Sequence, residues 1–298
     1  MLSLSASFHA PFVSIPPSRP SSSSSLSSKR STTFSMSVSA RIAVVGDVHD
    51  DWNLEEDTKA LQLLQPDLVL FTGDFGNENV DLVQSVADLQ FPKAVILGNH
   101  DSWCTQQFSQ KYGIQDMDGS AVRIYNTALR TPENHLIIFL AHNGPTGLGS
   151  NLNDICGKDW VFGGGDHGDP DLAQAIAHLK ETTRLNIPLV VFGHMHKELA
   201  HGNGLRKMIV ISNDKTIYLN GAIVPRVKRI NDDERSPSSS FMNSETSQLT
   251  SESRGTKRAF TVVEILEGRV DKIAETWVSV NGDVTLVEEE HVLFEGSN

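Results

Sequence analysis

Lys93-Ala94-Val95-Ile96-Leu97-Gly98-Asn99-His100-Asp101 is the stretch whose reading decides the fold. Residues 93–97 have the length and β-branched content of a buried strand. The polar tetrad after them sits where α/β sheets place their chemistry, beyond the carboxyl end of a strand. Gly98 allows a tight turn. Asn99 offers a neutral carbonyl oxygen to a metal. His100 can pass a proton near neutral pH. Asp101 can orient that imidazole.

The same pattern repeats upstream. Residues 41–45 read as a strand ending at Gly46-Asp47-Val48-His49. Asn53 then fits a helix N-cap, with Glu56 as its capping-box partner, and the helix stops at Pro66. Residues 67–71 form a second strand ending at Thr72-Gly73-Asp74. A helix with Val80, Val83, Val86 or Ala87, and Leu89 on its apolar face leads into the 93–97 strand. This β-α-β-α-β run predicts parallel strands with right-handed crossovers.

Downstream, a short helix near 104–111 and a strand near 120–125 are expected. Residues 135–140 are a strand ending at His142, and a long Gly-, Asn- and Asp-rich loop covers 143–170. A helix spans 171–181 with Pro170 in its first turn. Residues 188–192 are a strand ending at Gly193-His194-Met195-His196. After that, strands at 208–212, 216–220, 223–228, 260–266 and 270–280 follow one another through short turns, so antiparallel pairing is expected there. Residues 231–258 are rich in Ser, Thr and Glu and read as a disordered insertion between paired strands.

The first forty residues differ in composition. They are serine-dominated, carry Arg19, Lys29 and Arg30, and contain no Asp or Glu. That is the composition of an organelle transit peptide, more plastid-like than mitochondrial, and it places the mature protein in the chloroplast stroma. The expected cleavage lies close before Arg41. The 298 residues carry a formal net charge of -12, which argues against a general nucleic-acid binder. A small anionic substrate stays compatible, because bound cations reverse the field locally. No apolar run reaches the ~18 residues of a membrane span, so no membrane partner is expected. Two cysteines, Cys104 and Cys156, are too few for a disulfide scaffold. Both fall in expected loops near the site, where a regulatory disulfide is one reading and two free thiols the other.

Five strand ends therefore carry Asp47/His49, Asp74, Asn99/His100/Asp101, His142 and His194/His196. A lone His or Asp at a strand end is usually a turn residue; five such clusters are hard to attribute to turns. Four His, two Asp and one Asn make a mixed N/O donor set without Cys, suited to a hard or borderline transition metal and unlike a structural zinc site. In Asp47-Val48-His49 and His194-Met195-His196, residues two apart in extended backbone face the same side. Seven ligands exceed one tetrahedral ion but suit two ions about 3.5–4 Å apart, the arrangement for in-line displacement at phosphorus.

The order and spacing of these motifs resemble the calcineurin-like metallophosphoesterase superfamily, from Arg41 to the C-terminus. The resemblance implies a four-layer α/β/β/α sandwich on two mixed sheets. It implies two divalent ions (manganese favoured over iron or zinc), with Asp47, His49 and His196 on one, Asn99, His142 and His194 on the other, and Asp74 bridging. A metal-bridging hydroxide would attack phosphorus in line, His100 would protonate the leaving group, and Asp101 would orient His100. The implied activity is hydrolysis of a phosphodiester, pyrophosphate or phosphomonoester of a small molecule. Asn220-Gly221-Ala222 resembles the turn that follows the last ligand motif in many members.

Departures narrow the branch. Protein phosphatases of this superfamily carry Asp-Arg after the second motif and Arg before the third; here those positions read Phe75-Gly76-Asn77-Glu78 and Ile96-Leu97. Purple acid phosphatases place a ligating Tyr where Asn77 stands. The remainder resembles the small phosphodiesterase-like branch. The competing readings are a non-catalytic binding or scaffold protein on the same fold, and a nuclease. Gly163-Gly164-Gly165 could approach a phosphate through backbone N–H groups, although a plain loop is the simpler reading. Lys158 and Trp160 are further candidates near the site, with surface exposure and ordinary packing as their alternatives. No substrate-binding residue is assigned from the sequence.

Overall fold

The computed structural model describes residues 39–102, 119–202, 204–230 and 255–296. The transit-like segment up to residue 38, the helix expected near 104–111 with Trp103 and Cys104, and the Ser/Thr/Glu-rich stretch over 231–254 lie outside them.

Eleven strands and four α-helices follow in chain order among the described residues: β1 (Ser39–Val45), α1 (Leu54–Leu64), β2 (Leu68–Phe71), α2 (Val80–Asp88), β3 (Lys93–Val95), α3 (Ser120–Ala128), β4 (Leu136–Leu140), α4 (Pro170–Thr182), β5 (Asn186–Phe192), β6 (Ile209–Ile211), β7 (Ile217–Asn220), β8 (Val227–Arg229), β9 (Thr256–Leu266), β10 (Arg269–Asn281) and β11 (Val284–Glu295). One sheet runs β11-β10-β9-β1-β2-β3, with β8 paired to β9; the other runs β4-β5-β7-β6. β1, β2 and β3 are parallel and β9 is antiparallel to β1. In the second sheet β4, β5 and β7 are parallel and β6 is antiparallel. Both sheets are mixed.

Period-two alternation sets the layers. Ala43 and Val45 of β1 pack with Ala60, Leu61 and Leu64 of α1 and Leu82 and Val86 of α2. Ile42 and Val44, on the other face, pack with Leu189 and Val191 of β5 and Leu219 of β7. Val190 and Phe192 turn away to meet Ile124 of α3 and Leu172, Ile176 and Leu179 of α4. Three cores in series give the expected helix–sheet–sheet–helix sandwich. Burying each of these aliphatic side chains contributes about 1.5–3 kcal/mol, which is what offsets the ordering of so many strands.

Caps fix the helix starts. Asn53 Oδ1 accepts from Glu56 N–H, and Asp169 accepts from Asp171 and Leu172 N–H. Asn79 caps α2, which makes Val80 its first residue and leaves it exposed; the buried face is Leu82, Val86 and Leu89. The 120–125 stretch is the start of helix α3, not a strand: Ala121, Ile124 and Ala128 are its buried residues, at helical spacing. The expected 223–228 strand shrinks to Val227–Arg229. β9 starts at Thr256, inside the stretch set apart by composition, and β1 takes in Ser39 and Ala40. β11 is a full strand with no counterpart in the sequence reading.

Buried arginines tie the later strands to the first motif. Arg226 donates to Asp57 Oδ1 at 2.6 Å and to the Asp51 carbonyl. Arg258 donates to Asp57 Oδ2 at 2.7 Å and also pairs with Glu56. Asp57 Oδ2 in turn accepts from Asn53 N–H. Residues 51–53, just after His49, are thereby held from behind.

Candidate metal centre

β1, β2 and β3 of one sheet and β4 and β5 of the other end on the same side of the sandwich, so the five polar loops meet across the join of the sheets. Their convergence does not come from extended backbone. Asp47 (φ 23°), His49 (φ 43°), Asp74 (φ 51°) and His194 (φ 68°) are all non-glycine residues at positive φ. Such conformations are uncommon and costly for residues with a Cβ, and four in one cluster mark a site the fold over-determines. Gly98 is needed for space: a Cβ there would lie 2.1 Å from Asp74 Oδ1 and 2.6 Å from His142 Cε1. Gly193 likewise makes room for Asp47, whose Oδ1 a Cβ would meet at 2.1 Å.

The donor atoms form three overlapping groups: Asp47, His49 and His196; His49, Asp74 and His100; Asp74, His142 and His194. Within each group the ligand atoms lie within 4.8 Å of one another. His49 Nε2 and His196 Nε2 are 2.9 Å apart, and His196 Nε2 is 3.6 Å from Asp47 Oδ2. On the other side His142 Nε2 is 2.9 Å from Asn99 Oδ1, 3.2 Å from His194 Nδ1 and 3.5 Å from Asp74 Oδ2. All seven sequence-predicted ligands are therefore brought together, and Asp74 falls in one group with His49 of the first half and in another with His142 and His194 of the second.

The cluster fits cations. Asp47 is fully buried and its Oδ2 has no hydrogen bond from the described residues. Its Oδ1 accepts from Thr72 Oγ1 and from His194 N–H. A buried carboxylate oxygen without a donor is costly unless a positive charge faces it. Burial accordingly pushes the Asp47 carboxyl up. Burial, with His142 beside it, pulls His194 down to about 3, and burial pulls His196 down as well. Both imidazoles are neutral at pH 7 and keep a lone pair for a metal. His142 Nδ1 donates to the Thr72 carbonyl at 2.8 Å, which fixes its tautomer and frees Nε2.

His100 Nδ1 donates to Asn77 Oδ1 at 2.8 Å. Asp101, expected to orient this imidazole, is directed elsewhere: its Oδ1 accepts from Phe75 N–H and its Oδ2 from Gly98 N–H, both at 2.8 Å. A carboxylate near two unpaired backbone donors of crossing loops is captured by them, and a neutral amide takes the histidine. Asp101 thus clamps the second and third motif loops together. His100 N–H donates to Asp74 Oδ1 and its carbonyl accepts from Glu78 N–H, so the same loops are tied at three further points with the Asn77 contact.

A family model for calcineurin-like phosphoesterase matches residues 40–198, more than half of the chain and every ligand position above. The chain belongs to the calcineurin-like phosphoesterase family. Among solved structures it is similar to a conserved uncharacterized protein from Streptococcus pneumoniae TIGR4, described as a predicted phosphoesterase, at 15% identity and a TM-score of 0.34, over 86% of this chain and 98% of that one. No curated protein matches it.

In this member of the family the long loop after His142 builds a wall beside the centre. Bridges Pro145–Asp169 and Gly157–Asp166 fold it back on itself. Arg206 runs through its middle, donating to the carbonyls of Leu152, Asp154, Gly157 and His196. His167 stacks on His194 (5.2 Å, 25°), and Trp160 stands edge-on to His167 (5.1 Å). A cleft of about 270 Å³ lies between this wall and Asp74, Asn99, His100, His194 and His196. Gly163–Gly165 is no phosphate cradle: Gly164 and Gly165 donate their N–H groups to Val161 and Ser150 carbonyls, and all three glycines sit at positive φ. Cys156 is fully buried in the second-sheet core, and burial pushes its thiol up to about 12, against a redox role. The Asn220-Gly221-Ala222 turn supports the last motif, through Asn220 Nδ2 to the Met195 carbonyl and the Ala222 carbonyl to Lys197 N–H. The bond of Asn77 to His100 was missed in the sequence because Asn77 lies off the ligand spacing; His167 stands in the Gly163–Gly168 stretch that the sequence offered for substrate contacts or as a plain loop. No helix among the described residues is long and apolar enough to cross a membrane.

Proposed function

We propose that this protein is a dinuclear metal-dependent phosphoesterase acting on a small phosphorylated molecule. The observation that carries the reading is Asp74, buried and grouped with His49 on one side and with His142 and His194 on the other, together with the donorless oxygen of buried Asp47. Asp47, His49 and His196 would hold one divalent ion, Asn99, His142 and His194 the other, with Asp74 between them. The N/O donor set suits manganese, iron or zinc, with manganese first. When bound, the ions supply acidified water and offset charge on the phosphoryl oxygens.

The chain's own residues do the rest. His100 has a ring nitrogen within 4.8 Å of donor atoms of His49 and Asp74, close to where a phosphoryl group would sit. With Nδ1–H held by Asn77, its Nε2 is the atom that delivers a proton to the leaving oxygen. The His142–Thr72 and Asp47–His194 hydrogen bonds hold the ligands in place before substrate arrives. Trp160 lines the cleft together with His100 and His194.

The composition of residues 1–40 supports a plastid location, and the acidic net charge supports a small substrate over a nucleic acid. The test is a panel of phosphomonoesters, phosphodiesters and nucleotide pyrophosphates offered to manganese-loaded protein. Turnover of at least one small ester that EDTA abolishes is the expected result. No turnover with any divalent ion, in a chain that also binds no metal, refutes the reading.

A further inference from the structure

The outer wall of the cleft carries a charge pattern the hydrolytic reading leaves unused. Asp159, Trp160, Glu198 and Arg206 line the cleft together with Asp74, Asn99, His100, His194 and His196. Arg206 is the one Lys or Arg among the described lining residues, and its guanidinium is spent. Nε and Nη1 donate to four backbone carbonyls, and Nη2 lies 3.3 Å from Asp159 Oδ2. Asp159 is spent as well, since Oδ2 also accepts from Ala200 N–H at 2.6 Å. Lys158 lies against Gly165, outside the lining. Glu198 differs: its residue is exposed, and its carboxylate has neither hydrogen bond nor ion pair with the described residues. Trp160 leaves about half its surface (53%) exposed and makes its ring contact with His167.

Arg206 and Asp159 cancel, so Glu198 is the uncompensated charge among these four residues, in one cleft with the Trp160 indole. A free carboxylate repels a second phosphoryl group, and an indole and a carboxylate lining one small cleft attract an organic cation through the ring face and through charge. The volume, just under the range of about 300–1,000 Å³ usual for drug-sized ligands, suits a compact molecule. Resting on the phosphoesterase reading, we infer that the substrate is a single-phosphate ester whose organic half carries an ammonium group, bound between Trp160 and Glu198. Phosphates with a second phosphoryl group are the disfavoured class.

The test reads binding apart from turnover. Calorimetry on the manganese-loaded full chain compares phosphocholine with 3,3-dimethylbutyl phosphate, its uncharged isostere, and with ADP. The expected result is phosphocholine bound about tenfold tighter than the isostere and tighter than ADP. Glu198→Gln should reduce the tenfold ratio to about twofold or less, Trp160→Leu should reduce it in part, and Glu198→Lys should turn the preference toward ADP. A wild-type ratio near one, a ratio unmoved by Glu198→Gln, or failure of both phosphocholine and the isostere to bind overturns the inference. Hydrolysis of bis(p-nitrophenyl) phosphate by the same preparation reports separately on the phosphoesterase reading.

Discussion

Asp101→Ala separates a clamp from a catalytic orienter. The side chain accepts two backbone N–H bonds at 2.8 Å, one from Phe75 after the second motif and one from Gly98 at the start of the third. A hydrogen bond to a charged acceptor contributes about 1.5–3 kcal/mol, and the half-buried position of Asp101 argues for the lower end, so the two together come to about 3 kcal/mol. In a domain of this size each kcal/mol moves Tm by about 2–4 °C, so the substitution should lower Tm by about 6–12 °C. Asp101→Asn, which keeps one acceptor oxygen, should lose about half as much. Differential scanning calorimetry on the metal-loaded protein gives both numbers. Below the new Tm, the pH limb of kcat/KM that reports His100 should stay where it is, while Asn77→Ala should move it. An Asp101→Ala protein with unchanged Tm and a displaced pH limb would show that the carboxylate acts on His100, and the clamp would be wrong.

Three other perturbations follow from the same geometry. Gly98→Ala drives a methyl to 2.1 Å from Asp74 Oδ1, so the carboxylate must shift by about 1.3 Å to reach ordinary contact; manganese affinity measured by calorimetry should fall at least tenfold with the fold retained. In metal-free protein, His194 stays neutral down to about 3 whereas an unfolded histidine takes up a proton near 6.5, so the unfolded state binds more protons between those values; chemical-denaturation stability should fall as pH drops from 6.5 toward 3, and His194→Asn should flatten that slope. Peptide mapping after iodoacetamide at pH 8 should find Cys156 unmodified in native protein and modified after unfolding, since its thiol is buried and pushed up to about 12; rapid native labelling would contradict its place in the core.

What the sequence could carry depended on how local the physics was. Strand ends and caps are local, so Asn53 caps α1 and Asp47, Asp74 and His142 follow strands as their neighbours implied. α3 was misread because Val122, Ile124 and Tyr125 are β-formers, and the helical burial of Ala121, Ile124 and Ala128 is set by packing on α4. β11 was passed over because it is an edge strand, largely exposed and interrupted by Glu288, Glu289 and Glu290, so it has no buried face to show alternation. The positive φ of Asp47, His49, Asp74 and His194 was invisible, because no side-chain type announces that conformation. The convergence of the ligands was foreseen but its cause was not. Asp101 clamps two loops and Asn77 takes the His100 ring in its place, because hydrogen-bond partners across loops depend on tertiary placement alone.

The central claim is that two ions at Asp74 make this chain a phosphoesterase. The most direct measurement is bis(p-nitrophenyl) phosphate hydrolysis by EDTA-treated protein as manganese is titrated back. Activity should rise from background to a plateau at two equivalents per chain, and Asp74→Ala should remove the rise. Hydrolysis that is independent of added metal, or absent at saturating manganese, would contradict the account.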